Sequence, residues 1–416
     1  MIRTRRLAVA LTLTLSMHAT AATKAIKFGK LWDGRQVIYN AVVIVEDDKI
    51  VSVAAKGKIP AGAETIDLSR YTGSPGMLDM HTHITYYWDG APGTTPRRQA
   101  PRHAAITVVL AQKNGMKALE SGATTLRDLN ASLGTDMDLR DLINMGALVG
   151  PRLFVSSGGL HALPKIADMN EKVAEQIKQT KAVIASGADW VKVFGSTGGF
   201  DNVTGDQTVS YEEMKAIVDT AHAEGHKVAI HSYGPAGARD AVRAGCDTLE
   251  HATDMDDATI QEMVAKKIGY VPTIDHNQYY FDNADEVYKF PAGAKENLTN
   301  YIQRNFATAQ KAFKAGANML VGSDAVYNGF GLNMRELTWF SKMGMTNEQA
   351  LKTVTVAPAA MLGMEKSLGS VAPGFFADIV AVEGDPLADI QVVVKNVRWV
   401  MKGGSVVVDK TRKPGP

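Results

Sequence analysis

The feature that most restricts the fold is a regular alternation of short apolar segments with amphipathic segments from about Gly76 to Pro358. Segments such as 211–224 and 347–356 carry apolar residues at helical spacing, which predicts helices with one buried face. Strands that alternate with such helices are typical of βαβ units and a parallel sheet. The sequence therefore predicts an α/β fold, a (β/α)8 TIM-type barrel over residues 76–358, with eight strands at 76–83, 124–129, 153–156, 190–194, 228–231, 248–251, 270–273 and 319–324.

The two ends of the mature chain have a different texture from the barrel segment. Residues 41–45 and 50–53 flank a polar turn, as in a β-hairpin, and residues 378–382, 390–394 and 397–401 alternate around Gly and Asp turns. Two β-rich ends that flank one barrel can pair with each other. We predict a small composite β-sandwich domain, formed from residues 23–75 and 359–416.

The first 22 residues differ from all that follow, because a basic start precedes an apolar stretch at 7–17 and small residues at 19–22. This order is typical of a secretory signal peptide, so we predict that the mature protein is exported, either to a periplasm or out of the cell. The apolar stretch is shorter than the roughly 20 residues that span a bilayer, and this argues against a stable membrane anchor. The paired Arg5 and Arg6 leave the export route open.

Composition narrows the partners and the kinds of metal site. A formal net charge of +1 lacks the basic excess of nucleic-acid-binding proteins, so we expect no nucleic acid partner. Cys246 is the only cysteine, which excludes an intrachain disulfide and a cysteine-based metal cage. Any metal ion must therefore be held by histidine, carboxylate or a modified side chain.

Six polar side chains stand at or near the carboxyl ends of predicted strands that are otherwise apolar. In a β/α barrel these ends converge on one mouth, so groups distant in sequence can reach shared ions. Imidazole and carboxylate are ligands that zinc and similar divalent ions favour. The predicted metal ligands are His81, His83, Lys192, His231, His251 and Asp324.

The spacing of His81 and His83 strengthens this interpretation, because residues two apart on a strand point to the same side. Asp324 ends its own strand and suits both ligation and proton transfer, so we predict that it is the catalytic acid and base. Purely structural roles for these residues remain as alternatives. The histidines could serve packing, Asp324 could be a helix N-cap, and Lys192 could point outwards with a solvated tip.

Residues 75–83, 322–324 and 368–378 resemble motifs of the amidohydrolase superfamily, and the resemblance covers nearly the whole mature chain. The lysine on the fourth strand implies the binuclear branch, with two divalent cations, expected to be Zn²⁺. Carbamylated Lys192 would bridge an ion held by His81, His83 and Asp324 and an ion held by His231 and His251. Ser232 to Pro235 follow His231 where deaminase branches carry a glutamate, which counts against deamination.

More narrowly, residues 156–161 and 231–234 are similar to the branch with Xaa-Pro and Xaa-Arg dipeptidases and ochratoxin-hydrolysing amidohydrolases. In that branch the corresponding residues hold the substrate, which implies substrate contacts for His161 and Tyr233. Leu160 departs from the branch pattern next to His161. His276, Tyr279 and Tyr280 follow strand seven, and residues 86–88, which include Trp88, follow strand one. Their aromatic character suits an apolar substrate pocket, which makes Trp88 and His276 further candidates for substrate contacts.

We therefore expect a metal-dependent amidohydrolase that cleaves a peptide-like amide bond by a metal-bridged hydroxide. The expected substrates are small molecules, namely dipeptides or N-acyl amino acids, with ochratoxin A among the candidates. Analogy of fold favours a homo-oligomer. Two alternatives stay open: another hydrolase of the superfamily, such as a lactonase, cyclic-imide hydrolase or deaminase, and a catalytically silent binding barrel.

Overall fold

The computed structural model describes residues 23–198 and 205–411. The predicted signal peptide at residues 1–22 lies outside these ranges, and its identification stays a prediction. Within the described ranges, no helix combines the length and apolar content that crossing a bilayer requires.

The strands outside the barrel come from both ends of the chain. Four precede it and three follow it. They are β1 (Thr23–Trp32), β2 (Val37–Glu46), β3 (Lys49–Ala55), β4 (Glu64–Pro75), β13 (Ile379–Val382), β14 (Val397–Lys402) and β15 (Ser405–Asp409). The expectation of strand at 390–394 is wrong, because Gln391–Lys395 form a short helix at whose start Asp389 accepts the backbone N–H of Gln391 at 2.9 Å.

Between these strands the chain alternates strand and helix. The barrel strands are β5 (Met77–Thr82), β6 (Ala123–Asp128), β7 (Arg152–Val155), β8 (Trp190–Phe194), β9 (Lys227–Ser232), β10 (Thr248–His251), β11 (Gly269–Val271) and β12 (Asn318–Met319). The helices are α1 (Ala104–Glu120), α2 (Thr135–Asn144), α3 (Met169–Ala185), α4 (Tyr211–Ala223), α5 (Pro235–Ala244), α6 (Asp257–Ala265), α7 (Ile274–Asn283), α8 (Ala294–Lys314), α9 (Glu336–Lys342), α10 (Asn347–Lys352), α11 (Val356–Met361) and α12 (Gln391–Lys395).

The eight barrel strands close into a ring through two parallel sheets, β5-β6-β7 and β8-β9-β10-β11-β12. One seam joins β7 to β8, where Leu160 bridges to Val193. The other joins the segment after β12 to β5, where Met80 donates to Val321 and Asp324 donates to His81 through backbone N–H groups at 2.9 and 2.7 Å. The predicted TIM-type barrel is confirmed, and all eight predicted strands are present.

The eighth strand is shorter than predicted. Regular pairing with β11 covers only two residues, because the backbone groups of the next residues form hydrogen bonds with other segments. Val321 donates to Thr353, whereas Ala325 accepts from His83 at 3.0 Å. Residues 320–325 therefore form the seam of the barrel in an irregular conformation, and this is the segment that delivers Asp324 to the mouth.

Both chain ends meet in one seven-stranded sheet with the order β15-β14-β13-β4-β1-β2-β3. β4 pairs with β1 on one side and with β13 on the other, so the N-terminal and C-terminal strands are continuous through it. One side of this sheet buries a core that includes Phe28, Leu31 and Trp399. The boundaries at residues 75 and 359 that separate this composite unit from the barrel stay a prediction.

Candidate active site

We name two ligand groups after the metal-binding role that the sequence predicts for them. The first ligand group consists of His81 and His83 on β5 and Asp324 after β12. The Nε2 atoms of His81 and His83 lie 3.6 and 3.1 Å from Oδ1 of Asp324. All three side chains are buried. The HxH spacing therefore places two imidazoles beside one carboxylate, as predicted for a shared site.

The second ligand group consists of His231 on β9 and His251 on β10. Their ring centroids are 4.5 Å apart, and the His251 ring lies 5.1 Å from that of His81. Nδ1 of His251 is 2.7 Å from the hydroxyl oxygen of Thr273, which leaves Nε2 for a ligand. The two groups thus face each other across the mouth of the barrel.

Two of these residues have a backbone conformation that non-glycine residues seldom adopt. His251 has φ +70° and Asp324 has φ +48°. Glu250 points into the barrel, so a regular strand would send its neighbour His251 to the opposite face. The left-handed turn at His251 redirects its ring into the mouth, and such local strain is typical of functional sites.

Lys192 on β8 lies fully buried within the barrel. Its Nζ has no hydrogen-bond partner among the described residues, and it lies 5.1 Å from the centroid of the Phe194 ring. Burial lowers the pKa of Lys192 to about 8, so about a tenth of the amine is neutral at pH 7, far more than for an ordinary lysine. The lysine points inwards, and the alternative of a solvated tip is excluded for this structure.

A buried ion pair supports His81 from inside the barrel. Glu250 accepts from Arg127 Nη2 through Oε1 at 2.8 Å, and its Oε2 lies 2.8 Å from Nδ1 of His81. Arg127 also donates to the carbonyl oxygen of Met80 at 2.6 Å. Burial raises the pKa of Glu250, but Arg127 and His81 outweigh it and lower that pKa to about 2. An ionised Glu250 accepts the Nδ1 proton and fixes the His81 tautomer with Nε2 free.

The sequence interpretation did not include this ion pair. A detectable signal was present, because Arg127 and Glu250 are charged residues in the middle of apolar predicted strands, where burial requires a partner. Sequence spacing could not show that the two strands bring them together with His81.

Asp79 organises the other side of the first ligand group. Its Oδ1 accepts the backbone N–H of Ser323 at 2.9 Å, and its Oδ2 accepts from the Ser323 hydroxyl at 2.6 Å and from Asn333 at 2.9 Å. Ser323 directly precedes Asp324, so this buried network fixes the backbone from which the candidate catalytic carboxylate projects.

Burial keeps the imidazoles of His81, His231 and His251 in the neutral form that binds metals. It lowers the pKa of His81 to about 4, and it lowers the pKa values of His231 and His251 well below 6.5. For Asp324, burial raises the pKa, but the neighbouring His276, His81 and His83 lower it more strongly, so the carboxylate is ionised. Neutral imidazoles around an anionic carboxylate are the donor set that divalent cations prefer.

The geometry fits a metal ion. Donor atoms of His81, His251 and Asp324 all lie within 4.8 Å of one another. The orphaned Nζ of buried Lys192 adds a second indication, since a buried polar atom normally has a partner. The six predicted ligands therefore converge on one mouth, and these residues could hold a divalent cation.

Of the predicted substrate residues, Tyr233 lies against the second ligand group. Its ring centroid is 5.0 Å from that of His231 and 4.7 Å from that of His251. His161 is exposed, and its ring stacks on Phe194 at 4.5 Å with the planes nearly parallel. Both positions border the mouth, and their contacts with a substrate stay a prediction.

His276 and Trp88 have different surroundings. Nε2 of His276 lies 3.3 Å from Oδ2 of Asp324, so this histidine belongs to the first ligand group's environment. Trp88 donates to the Thr94 hydroxyl within its own loop at 2.9 Å. Tyr86, two residues earlier, stacks on His83 with ring centroids 4.9 Å apart. Tyr86 thus makes the contact with the ligand histidines, and the substrate role of Trp88 stays a prediction.

An aromatic cluster lies over the same side of the mouth. It combines residues from the loops after β5, β11 and β12, and Tyr280 in it packs edge-on against His276 with centroids 4.5 Å apart. Its members include Tyr86, Tyr279, Tyr280, Tyr288, Phe290 and Tyr327. These rings supply the apolar wall that the sequence analysis expected from the loops of strands one and seven.

Known proteins share this arrangement of a barrel and a composite sheet. A crystal structure of a Xaa-Pro dipeptidase with bound methionine in the active site matches with a TM-score of 0.81 and 29% identity, over 92% of this chain and 99% of that chain. The structure of Aspergillus niger ochratoxinase matches with a TM-score of 0.78 and 25% identity, over 94% and 96%.

Sequence comparison agrees with the structural matches. Ochratoxinase from Aspergillus niger is 28% identical over 412 residues, which cover 88% of this chain and 82% of that protein. The family model described as "Amidohydrolase family" matches residues 73–407. That range contains β5 to β14 and every candidate ligand, so the chain belongs to the amidohydrolase family.

Proposed function

We propose that the protein is a binuclear, metal-dependent hydrolase that cleaves a peptide-like amide bond in dipeptides or N-acyl amino acids. The observation that carries this proposal is the convergence of four histidines, Asp324 and a buried lysine without a described partner at one barrel mouth. A silent binding barrel would have no need to maintain six such groups, two of them on strained backbone.

Lys192 is suited to become a carbamate. Its neutral amine attacks carbon dioxide, an N–C bond forms, and one N–H proton is released, which leaves an anionic carboxylate on the lysine. A pKa of about 8 makes the neutral amine available near neutral pH. Carbamylation would remove the energetically unfavourable buried ammonium. The new carboxylate would offer two oxygen atoms as ligands.

In this proposal His81, His83 and Asp324 would hold one divalent cation, His231 and His251 would hold the other, and carbamylated Lys192 would be a ligand of both. Zinc is the expected ion, because imidazole and carboxylate ligands suit it. When bound, the cations would polarise the scissile carbonyl and lower the pKa of water.

The residues of the chain perform the remaining steps. Asp324 takes the proton of the attacking water at its carboxylate and then delivers it to the leaving nitrogen. His276, next to Asp324 Oδ2, holds that carboxylate in place and borders the apolar wall. Tyr233 and His161 bind the substrate's carbonyl or carboxylate, and the aromatic cluster excludes water from the acyl side.

The peptide-like substrate class is supported by the relatives. Two proteins of similar fold and length are named Xaa-Pro dipeptidase and ochratoxinase. Both names describe small molecules, and the aromatic wall beside Asp324 is compatible with an apolar or aromatic acyl group. We include ochratoxin A among the substrates to be tested.

We also propose export with removal of residues 1–22, and a homo-oligomeric state. The basic, apolar and small-residue order of the first residues supports the former. Mass spectrometry of the protein recovered from its native host should then show a chain that begins at Thr23. A chain that begins elsewhere or retains Met1 would contradict cleavage at this position. Light scattering of the same sample would give the subunit number.

The function is tested by elemental analysis of the purified mature protein, together with product analysis on N-acyl amino acids, dipeptides and ochratoxin A. Near two metal ions per chain with release of an amino acid supports the proposal. Ring opening of a lactone or cyclic imide without amide cleavage would favour another hydrolase of the family. Absence of metal and of any hydrolysis in metal-supplemented buffer would favour a silent barrel.

A further inference from the structure

The start of α7 is unusual because its N-cap residue serves another partner. Thr273 has φ +50°, and its side chain makes no hydrogen bond to the first turn of the helix. A threonine at an N-cap normally accepts an N–H of that turn. Here the hydroxyl oxygen is instead 2.7 Å from Nδ1 of His251, a member of the second ligand group.

Glu336, the first residue of α9, replaces the missing cap. Its Oε1 accepts the backbone N–H of Ile274 at 2.9 Å, and its Oε2 accepts that of Asp275 at 2.7 Å. The side chain is fully buried, which is rare for a glutamate without a defined role. Both carboxylate oxygens are thus used on the first two N–H groups of α7.

The helix that Glu336 caps also carries His276, whose Nε2 lies 3.3 Å from Asp324. His276 follows directly after Asp275, so the position of its ring depends on how the first turn is held. One buried carboxylate on α9 therefore supports two contacts at the mouth, from Thr273 to the second ligand group and from His276 to the first.

We infer that Glu336 is a positioning residue of the metal site, which caps α7 so that the Thr273 hydroxyl remains with His251 and His276 remains with Asp324. The inference rests on the proposed metal-dependent function. Partners that orient ligand histidines typically change metal affinity by about 10- to 100-fold when they are removed. Glu336 acts one step further away, through the Thr273 backbone.

The competing explanation is that Glu336 only joins α9 to α7. That junction has other members, since Arg335 lies 3.2 Å from the Asp275 carboxylate and Trp339 donates to it at 3.1 Å. They hold the Asp275 side chain, whereas Glu336 holds the backbone. A purely structural role predicts lower stability with unchanged metal retention, and a positioning role predicts a change in both.

The test measures metal retained by the holoenzyme after dialysis against a chelator of fixed strength, without substrate. In Glu336→Gln, an amide NH₂ replaces one acceptor oxygen and faces a backbone donor. We expect about tenfold weaker metal retention. The matched control is Glu213→Gln. Glu213 is also a buried glutamate in the first turn of a helix, and it accepts two hydrogen bonds, from the Ser210 N–H at 3.0 Å and from the Gln176 side chain at 3.2 Å. This control should lose stability and keep its metal.

A double-variant cycle locates the effect. Thr273→Val removes the hydroxyl at nearly constant volume, and we expect it to weaken metal retention by about tenfold as well. If Glu336 acts through Thr273, the double variant should lose little more than either single variant. Multiplied effects of about a hundredfold would overturn the coupling. Should Glu336→Gln fail to fold, Glu336→Asp, whose shorter side chain cannot reach both N–H groups, is judged by the same criteria.

The outcomes separate this inference from the proposed function. A wild-type protein that binds no metal would overturn both. A wild-type protein that holds two ions, with Glu336→Gln and Glu213→Gln retaining them equally, would overturn only the positioning role. Weaker retention confined to Glu336→Gln supports it.

Discussion

The two ligand groups of the mouth are held by different kinds of force. In the first, His81 lies between two carboxylates, Glu250 and Asp324, and charge fixes the rings. In the second, a neutral hydroxyl holds His251, and aromatic packing by Tyr233 borders both rings. One mouth thus combines a half that is organised by charge with a half that is organised by packing. Different substitutions should therefore disturb the two halves.

The largest effect is expected from replacing Lys192, the residue that we propose as a ligand shared by the two groups. We expect Lys192→Ala to lose most bound metal and to lower kcat/KM by more than about 100-fold, because a bridging ligand should matter more than the supporting contacts of the ligand histidines. Elemental analysis and kinetics check this.

A small carboxylic acid offers a way to sharpen the Lys192 result. Acetate or propionate fits the space vacated by the side chain and should restore part of the activity of Lys192→Ala. Full metal content and activity without any added acid would contradict the bridging role.

The charged half is tested by Glu250→Gln. This change leaves the fully buried Arg127 without its carboxylate, and we expect a loss of about 3–5 kcal/mol in the free energy of unfolding. The control is Glu120→Gln, which breaks an exposed ion pair with Lys410 and should cost less than about 1 kcal/mol. Urea unfolding measures both. Equal effects would show that the buried pair is not a special support.

Acid should act on both halves of the metal-free protein. The folded pKa of His81 is lowered to about 4 from an ordinary value of 6.5, so its contribution to stability is complete above pH 6.5 and is lost as the pH falls towards 4. At pH 5 the loss is about 2 kcal/mol for His81. Burial also lowers the pKa of His251, so its contribution is lost in the same direction as the pH falls. Urea unfolding of the chelator-treated protein at pH 7, 6 and 5 measures it.

Single variants show which half carries the acid sensitivity. His81→Asn should remove its loss of about 2 kcal/mol at pH 5, and His251→Asn should also weaken the pH dependence of the free energy of unfolding. A pH dependence that neither variant changes would mean that other groups titrate in this range.

The smallest expected effect separates the two flanking tyrosines. Tyr233→Phe should raise KM by about fivefold through loss of one hydrogen bond to the substrate. Tyr86→Phe removes only the hydroxyl that accepts from Asn130 at 2.8 Å and should leave KM unchanged. Initial rates over a range of substrate concentrations decide. Equal KM values for both variants would remove Tyr233 from the substrate site.

The sequence was sufficient for the barrel and for the six polar side chains that the structure brings to its mouth, because apolar periodicity and polar strand ends are local signals. That these six residues bind metal stays a prediction. The sequence was insufficient where the backbone leaves regular geometry. The left-handed turns at His251 and Asp324 and the irregular seam at 320–325 depend on contacts with other strands. No local sequence pattern predicts these turns or this seam.

The supporting residues were missed for a related reason. Arg127, Glu250 and Glu336 are each distant in sequence from the ligand that they support, and their pairing depends on strand register and on how α9 docks on α7. A charged residue in a buried strand indicates that a charged or polar partner is required, but the sequence does not identify that partner. The flanking loops gave a further difference, since Tyr86 and not Trp88 reaches the ligand histidines.

The pairing of β4 with β13 has a consequence for biosynthesis. Pro75 lies opposite Ile379 and Gly73 opposite Ala381, so the strand that leads into the barrel bonds to the strand that leaves it. These partners are separated by roughly 300 residues, a long-range contact of the kind that slows folding. While the ribosome makes the barrel, one side of β4 has no partner, and a nascent chain that stalls before residue 379 would expose an adhesive strand edge. The β4–β13 pairing can therefore form only after most of the chain has been translated.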